Sequence, residues 1–214
     1  MKYSYGRMNS PEATRSRLLR TAQRLFAERG YAGTSVRQIT SQARANLGAI
    51  TYHFGSKERL HHAVLTGLFT PLAERISAEA ETGGAPLAAL ERIVIIYFEY
   101  FQEYPDLPRL MLQELSQAGP FPPELARLQR RVREAIVTLI SRGQADGSVR
   151  PGMPMLMALG VVAQPVFMAV ARRAITHVAG LDPGDPALMA QAARHAAQFV
   201  RQGLAATPEG STHP

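Results

Sequence analysis

The stretch Thr34–Lys57, TSVRQITSQARANLGAITYHFGSK, decides how this chain is read. It contains two short amphipathic helices separated by a turn of three or four residues. The first takes Thr34 as its N-cap and sets Val36, Ile39 and Ala43 at helical spacing. Asn46, a good capping side chain, opens a second and very short helix. Its apolar contacts inward are Ile50 and Phe54. Leu47, Gly48, Ala49, Thr51, Tyr52 and His53 are left facing outward or sideways. Small, hydroxyl-bearing and aromatic groups on the outside of a short helix are odd as packing. They suit a helix placed in the major groove of double-stranded DNA.

Charge supports that reading. Residues 1–60 hold 11 Lys and Arg against 3 Asp and Glu, whereas residues 61–214 hold 13 against 14. The whole formal excess of +7 is thus carried by the part with the helix-turn-helix pattern. A basic segment of this kind fits a polyanion partner, although a solvated basic face has the same composition. Cys is absent, which excludes disulfides and thiolate metal sites. The 6 His have no HExxH or other ligand spacing, and no P-loop, GxGxxG or GxSxG motif occurs. No catalytic residue, metal ligand or cofactor is therefore expected. The N-terminus MKYSYGRMNS has no apolar core of a signal peptide, so a cytoplasmic protein is expected. Met155–Ala171, MLMALGVVAQPVFMAVA, is apolar but shorter than the ~20 residues of a membrane span. Gln164 and Pro165 interrupt it, so it reads as a helix buried in a core and a subunit interface, with no membrane partner.

Outward from the motif, the periodicity predicts an all-α fold of about nine helices. Ser10-Pro11-Glu12 is a helix start, and Gly30 ends that helix. Ser56 caps a long helix from about Lys57 to Glu81, with Leu60, Val64, Leu68, Leu72 and Ile76 as its buried stripe. Further helices are expected from Leu87 to Tyr104, around 107–117, from Pro123 to Asp146, over Met155–Val178 with a kink at Pro165, and from Asp185 to about Ala205. The predicted organisation is a flexible arm (1–10), a DNA-binding domain (11–56), a helical domain (57–206) and a flexible tail (207–214).

With those residues in hand, the chain resembles the TetR/AcrR-type transcriptional regulators. The likeness runs without gaps over Arg15–Leu65, including LFAERGYAGTSVRQI and GAITYHFGSKERL. It implies that the first three helices bind DNA, and that the fourth joins them to a helical ligand-binding and dimerisation domain. This chain departs from the family pattern with Arg44 where Gly is usual at the turn, Asn46 where Ser or Thr is usual, and Thr51 where Tyr is common.

The DNA-binding candidates are Thr34, Ser35, Val36, Arg37, Asn46, Leu47, Gly48, Ala49, Thr51, Tyr52, His53 and Lys57. Thr34, Ser35 and the first amides of their helix suit phosphate. Arg37 resembles a family position that touches phosphate or a base, and Arg bridges guanine O6 and N7. Gly48 lets the backbone approach base edges, Leu47 and Ala49 suit thymine methyls, and Thr51 and Tyr52 offer hydroxyls to phosphates. His53 is read either as a phosphate donor or as a packed structural His. Lys57 would reach the backbone as a point charge. Tyr97, Phe98, Phe101, Met111, Glu114, Gln164, Phe167 and Met168 are candidates for an effector cavity, since apolar walls with a few polar groups make such sites. Plain core is the competing reading of that stripe. The Met155–Val178 helix is apolar on too many sides for one subunit to cover. The last helix, with Ala187, Ala190, Ala193, Ala196 and Ala197, is small-surfaced. Together they predict a homodimer on an inverted-repeat operator. The resulting expectation is a sequence-specific DNA-binding regulator, a repressor released by a small-molecule effector of unknown identity. The alternative is a helical small-molecule-binding protein or enzyme with a vestigial helix-turn-helix.

Overall fold

In the computed structural model, which describes residues 10–116 and 121–206, helix α1 (Pro11–Arg29) starts where its sequence dictates. Ser10 Oγ accepts a hydrogen bond from Ala13 N at 3.1 Å, Pro11 needs no partner for a missing N–H, and Glu12 faces the positive end of the helix. Gly30 ends it at φ 74°, a value costly for any residue with a Cβ. Then follow α2 (Val36–Gln42), α3 (Ala49–Phe54), α4 (Lys57–Glu81), α5 (Pro86–Glu103) and α6 (Asp106–Leu115). The remainder is α7 (Pro123–Ala145), α8 (Pro154–Val170), α9 (Arg172–Ala179) and α10 (Pro186–Leu204). The described residues thus hold ten helices and no strand, beyond one isolated bridge between Val149 and Ala205. The predicted arm, except Ser10, and the predicted tail lie outside the described residues.

The tenth helix arises from a break. The expected Met155–Val178 helix runs on through Pro165, which is buried inside α8. It ends at Ala171, and α9 leaves at 77°. The apolar run stops there, at Arg172 and Arg173. No single helix among the described residues is long and apolar enough to cross a membrane.

The chain divides into two compact units, one of Met1–Phe69 with Asp106–Leu125 and the other of Thr70–Pro105 with Ala126–Pro214. The division falls inside α4, and α6 returns to the first unit. Polar pins hold it there. Gln23 Nε2 donates to Asp106 Oδ2 at 3.1 Å, and Arg109 donates to the Glu28 carbonyl at 3.4 Å. Leu18, Ala22, Leu25 and Phe26 of α1, Ile39 of α2, Ile50 of α3 and Leu60 and Leu65 of α4 form this unit's core. In the second unit α5 packs on α8 and, along more of its length, on α10. That packing uses residues expected at a subunit interface. Ala193, Ala196 and Ala197 are buried within the unit, while Ala187 and Ala190 stay exposed.

Candidate nucleic-acid interface

Thr34 is not the cap of α2 and is not available to a phosphate. It is buried, with its hydroxyl within donating distance of the Leu25 carbonyl (3.1 Å) and the Gly30 carbonyl (2.9 Å). It ties the end of α1 to the start of α2. The cap is Ser35, one residue on. Ser35 Oγ accepts from Gln38 N at 3.2 Å, and Gln38 Oε1 accepts from Ser35 N at 2.8 Å, a reciprocal capping box. Adjacent hydroxyl residues made the two positions interchangeable in the sequence; the Gln three residues after Ser35 was the signal that separates them.

Beyond α2 the chain turns at Arg44, whose φ of 51° is the one positive value on a non-glycine residue among the described residues. The turn requires the conformation for which Gly is the usual solution, and Arg tolerates it at a cost on the order of 1 kcal/mol. Asn46 does not cap α3 with its side chain. Its carbonyl accepts from Ala49 N at 2.9 Å, forming a turn through Leu47 and Gly48, and the helix starts at Ala49. Ile50 and Phe54 are buried, as expected, and anchor α3 from one side. The Arg15 guanidinium lies over the outer part of that anchor, 5.1 Å from the Phe54 ring centre, and Arg17 Nε donates to the Ala43 carbonyl at 3.2 Å.

The other side of α3 is open. Leu47 is 54% and Tyr52 79% exposed, with Asn46, Gly48 and Thr51 exposed beside them and Ala49 partly so. A Cβ built on Gly48 would meet nothing within 4 Å, so its lack of a side chain serves no packing need inside the chain. His53 is half-buried and edge-on to the Tyr52 ring at 4.8 Å, a contact that limits where Tyr52 can point. Of the α2 candidates, Ser35 and Arg37 are exposed and Val36 is half-buried. Lys57 opens α4 with its Nζ 4.1 Å from the Tyr31 ring centre, and partial burial lowers its pKa.

The effector candidates do not all fall in one unit. Met111 and Glu114 belong to the first. There Glu114 Oε2 lies 3.5 Å from Nδ1 of the buried His61, and burial raises its pKa. Burial, with the charges of His62 and Lys57, pushes His61 down to about 4. Tyr97, Phe98, Phe101, Gln164, Phe167 and Met168 belong to the second unit. Tyr97, Phe98 and Phe101 are buried, with the Tyr97 and Phe101 rings 5.6 Å apart, and burial raises the Tyr97 phenol. Gln164 Oε1 is shielded from solvent without a hydrogen-bond partner. Phe167 points out instead, 62% exposed. A separate open groove of about 300 Å³ lies between α8 and α10, lined by Leu156, Gly160, Phe199 and Gly203 with Arg150 at its edge.

Comparison with known proteins gives this architecture its family. Residues 18–64 match the model of the bacterial regulatory proteins of the tetR family, and residues 86–200 match the tetracyclin repressor-like C-terminal domain. The chain belongs to the TetR family. It is a DNA-binding transcriptional regulator. Among its relatives, the transcriptional repressor NicS of Pseudomonas putida is 27% identical over 67% of this chain and 69% of that protein. The repressor KstR2 of Mycolicibacterium smegmatis is 26% identical over 76% of this chain and 80% of that protein. The ketosteroid regulator KstR2 of Mycobacterium tuberculosis has the same fold, with a TM-score of 0.71 at 24% identity over 93% of this chain and 97% of that one. So does FadR of Bacillus subtilis in complex with stearoyl-CoA, with a TM-score of 0.72 at 15% identity over 88% and 98%.

Three side chains of this TetR-family reading head were missed as individuals in the sequence. Arg15 and Arg17 counted there only as basic charge, yet they fasten α3 and the end of α2 to α1. Tyr31 drew no reading of its own. No periodicity marks it, because its partners Phe26, Lys57 and His61 come from two different helices.

Proposed function

We propose that this regulator is a cytoplasmic two-fold dimer that represses transcription from an inverted-repeat operator and is released by a small-molecule effector held in its second unit. The observation that carries the DNA reading is α3 itself. It is a six-residue helix fixed by two buried residues and, with the turn before it, it leaves Leu47, Gly48, Thr51 and Tyr52 in the open. Ser35, Arg37 and Lys57 flank it as backbone contacts or, for Arg37, a base contact. The dimer reading rests on α8 and α10, where Leu156, Leu159, Phe167 and Phe199 are each more than half exposed. The effector reading rests on Gln164, whose shielded amide oxygen needs a donor that the second unit does not provide. The shared fold with a ketosteroid regulator and with a regulator in complex with stearoyl-CoA makes a largely apolar effector the first class to try. DNA selection with the purified protein, followed by titration of the enriched site at several salt concentrations, tests the reading. One palindromic sequence bound with a steep salt dependence is expected. Binding without sequence preference would overturn it.

A further inference from the structure

We infer that Tyr31 is the positioning residue that holds Lys57 ready for the DNA backbone. This rests on Lys57 being a phosphate contact. Lys57 and His61 stand one turn apart on α4, so their side chains share a face. Tyr31, from the turn between α1 and α2, lays its ring against both. The Lys57 Nζ is 4.1 Å and the His61 ring 5.1 Å from its centre. His61 is buried, is met edge-on by Phe26 at 4.9 Å, and has Glu114 behind it at 3.5 Å. The ring therefore has a firm footing. Lys57 forms no salt bridge among the described residues, so the ring face is what restrains its ammonium.

The chemistry suits the task. A lysine is a compact charge on a flexible four-carbon stem, and reaching one phosphate costs it much rotamer freedom. A π face attracts the ammonium without neutralising it, whereas a carboxylate partner would compete with the phosphate. The imidazole beneath is kept neutral by its burial, so no second cation pulls on the same ring. The seat is thus preorganised, and it leaves the ammonium its full charge for the operator.

Three substitutions and two readouts test this in the full-length protein. In NMR spectra without DNA, the Lys57 ε-methylene protons should show an upfield ring-current shift that Tyr31→Leu abolishes and Tyr31→Phe keeps. In operator titrations, Lys57→Ala should weaken binding about 10-fold and lower the salt slope by about one unit per head. Tyr31→Leu should weaken binding about 3- to 5-fold, Tyr31→Phe should bind like the parent, and Tyr31→Leu should have no further effect once Lys57 is Ala. No ring-current shift, or an equal loss from Tyr31→Leu with and without Lys57, overturns the inference. So does Tyr31→Phe binding as poorly as Tyr31→Leu, which would make the hydroxyl the agent. If the shift is present but Lys57→Ala leaves affinity and salt slope unchanged, the phosphate reading of Lys57 fails while the ring seat stands.

Discussion

Two surfaces of this chain leave large side chains in water, and they do so in different ways. On the first unit, Leu47 stands out from the turn before α3 and Tyr52 from α3 itself, among Arg37, Thr51 and Lys57. On the second, Leu156, Leu159 and Phe167 stand out from α8, a helix with no charged residue, and Phe199 from α10. Single exposed apolar residues are ordinary, but a row of them on one face marks a site of association. The first surface mixes methyl groups, hydroxyls and cations, which fits a polyanion with base edges. The second fits another apolar surface, and a copy of itself is the simplest one. Salt should separate them. DNA binding should weaken steeply as salt rises, while self-association should barely change.

The largest effect should come from putting a charge on the second surface. In a two-fold interface Leu159→Glu appears twice, and two buried like charges have no partner. The dimer should weaken by about 1,000-fold or more, on the order of 4 kcal/mol. Analytical ultracentrifugation at low micromolar concentration should then give a 23.4 kDa monomer, with operator affinity lost alongside. A dimer that survives the change would remove α8 from the interface. On the first surface, Gly48→Val should lower specific DNA affinity about 100-fold, near 3 kcal/mol, by blocking close approach to the bases. Its φ of −73° suits any residue and the space around it is open, so the thermal midpoint should hardly move. A variant that binds the operator normally would show that the backbone of α3 does not come close to DNA.

These two surfaces were not equally legible in the sequence. The boundaries of α1 and α4 were readable because Ser10, Gly30 and Ser56 act locally, through caps and a positive φ. The anchor of α3 was readable because Ile50 and Phe54 are four residues apart. Arg44 was readable as a position wanting φ > 0 because the family resemblance puts Gly there. What failed was everything that depends on a choice between equal neighbours or on distant packing. Thr34 and Ser35 are both capping residues, and only burial decides between them. Residues 155–171 are apolar on nearly all sides, so no period marked the break at Ala171. Small residues permit close approach to a partner or to a neighbour in the same chain, and Ala193, Ala196 and Ala197 are buried within their own unit whereas Ala187 and Ala190 stay exposed. Glu114 and Gln164 both read as polar groups on apolar faces. One is paired with His61 in the first unit and the other is unpaired in the second.

The interiors sharpen the comparison, since each unit buries unpartnered polar atoms, His61 Nε2 and Gln113 Oε1 in the first and Ser77 Oγ and Gln164 Oε1 in the second. His61 should make stability pH-dependent. Its ordinary pKa is 6.5 and the fold lowers it to about 4, mainly by burial and then through the charges of His62 and Lys57. Between those values the unfolded chain binds a proton that the folded chain refuses, so stability falls as pH drops from 6.5 towards 4. The full shift corresponds to at most about 3 kcal/mol. Glu114, raised by burial, works in the opposite direction as it protonates and so reduces the net effect. His61→Gln keeps a donor for Glu114 but does not titrate. Its urea unfolding free energy should change less than the parent's over that range, and identical slopes would mean that His61 is protonated in the fold.

Gln164 offers the smallest effect and the sharpest contrast, because its unpaired oxygen is assigned to a ligand and not to the fold. A buried acceptor left without a donor costs about 1–3 kcal/mol. Gln164→Leu removes that acceptor at nearly the same volume. The effector-free protein should gain about 1 kcal/mol, seen as a thermal midpoint 2–4 °C higher. Affinity for the operator in the absence of effector should be unchanged, since α3 and its anchors are untouched. Release by an effector found through the operator's neighbouring genes should be lost or shifted to much higher concentration. These outcomes separate two roles for one atom. A group kept for the fold loses stability when removed; a group kept for a ligand gains stability and loses response. If Gln164→Leu lowers the midpoint and leaves effector release intact, the shielded amide belongs to the packing of α8, and the effector binds elsewhere in the second unit.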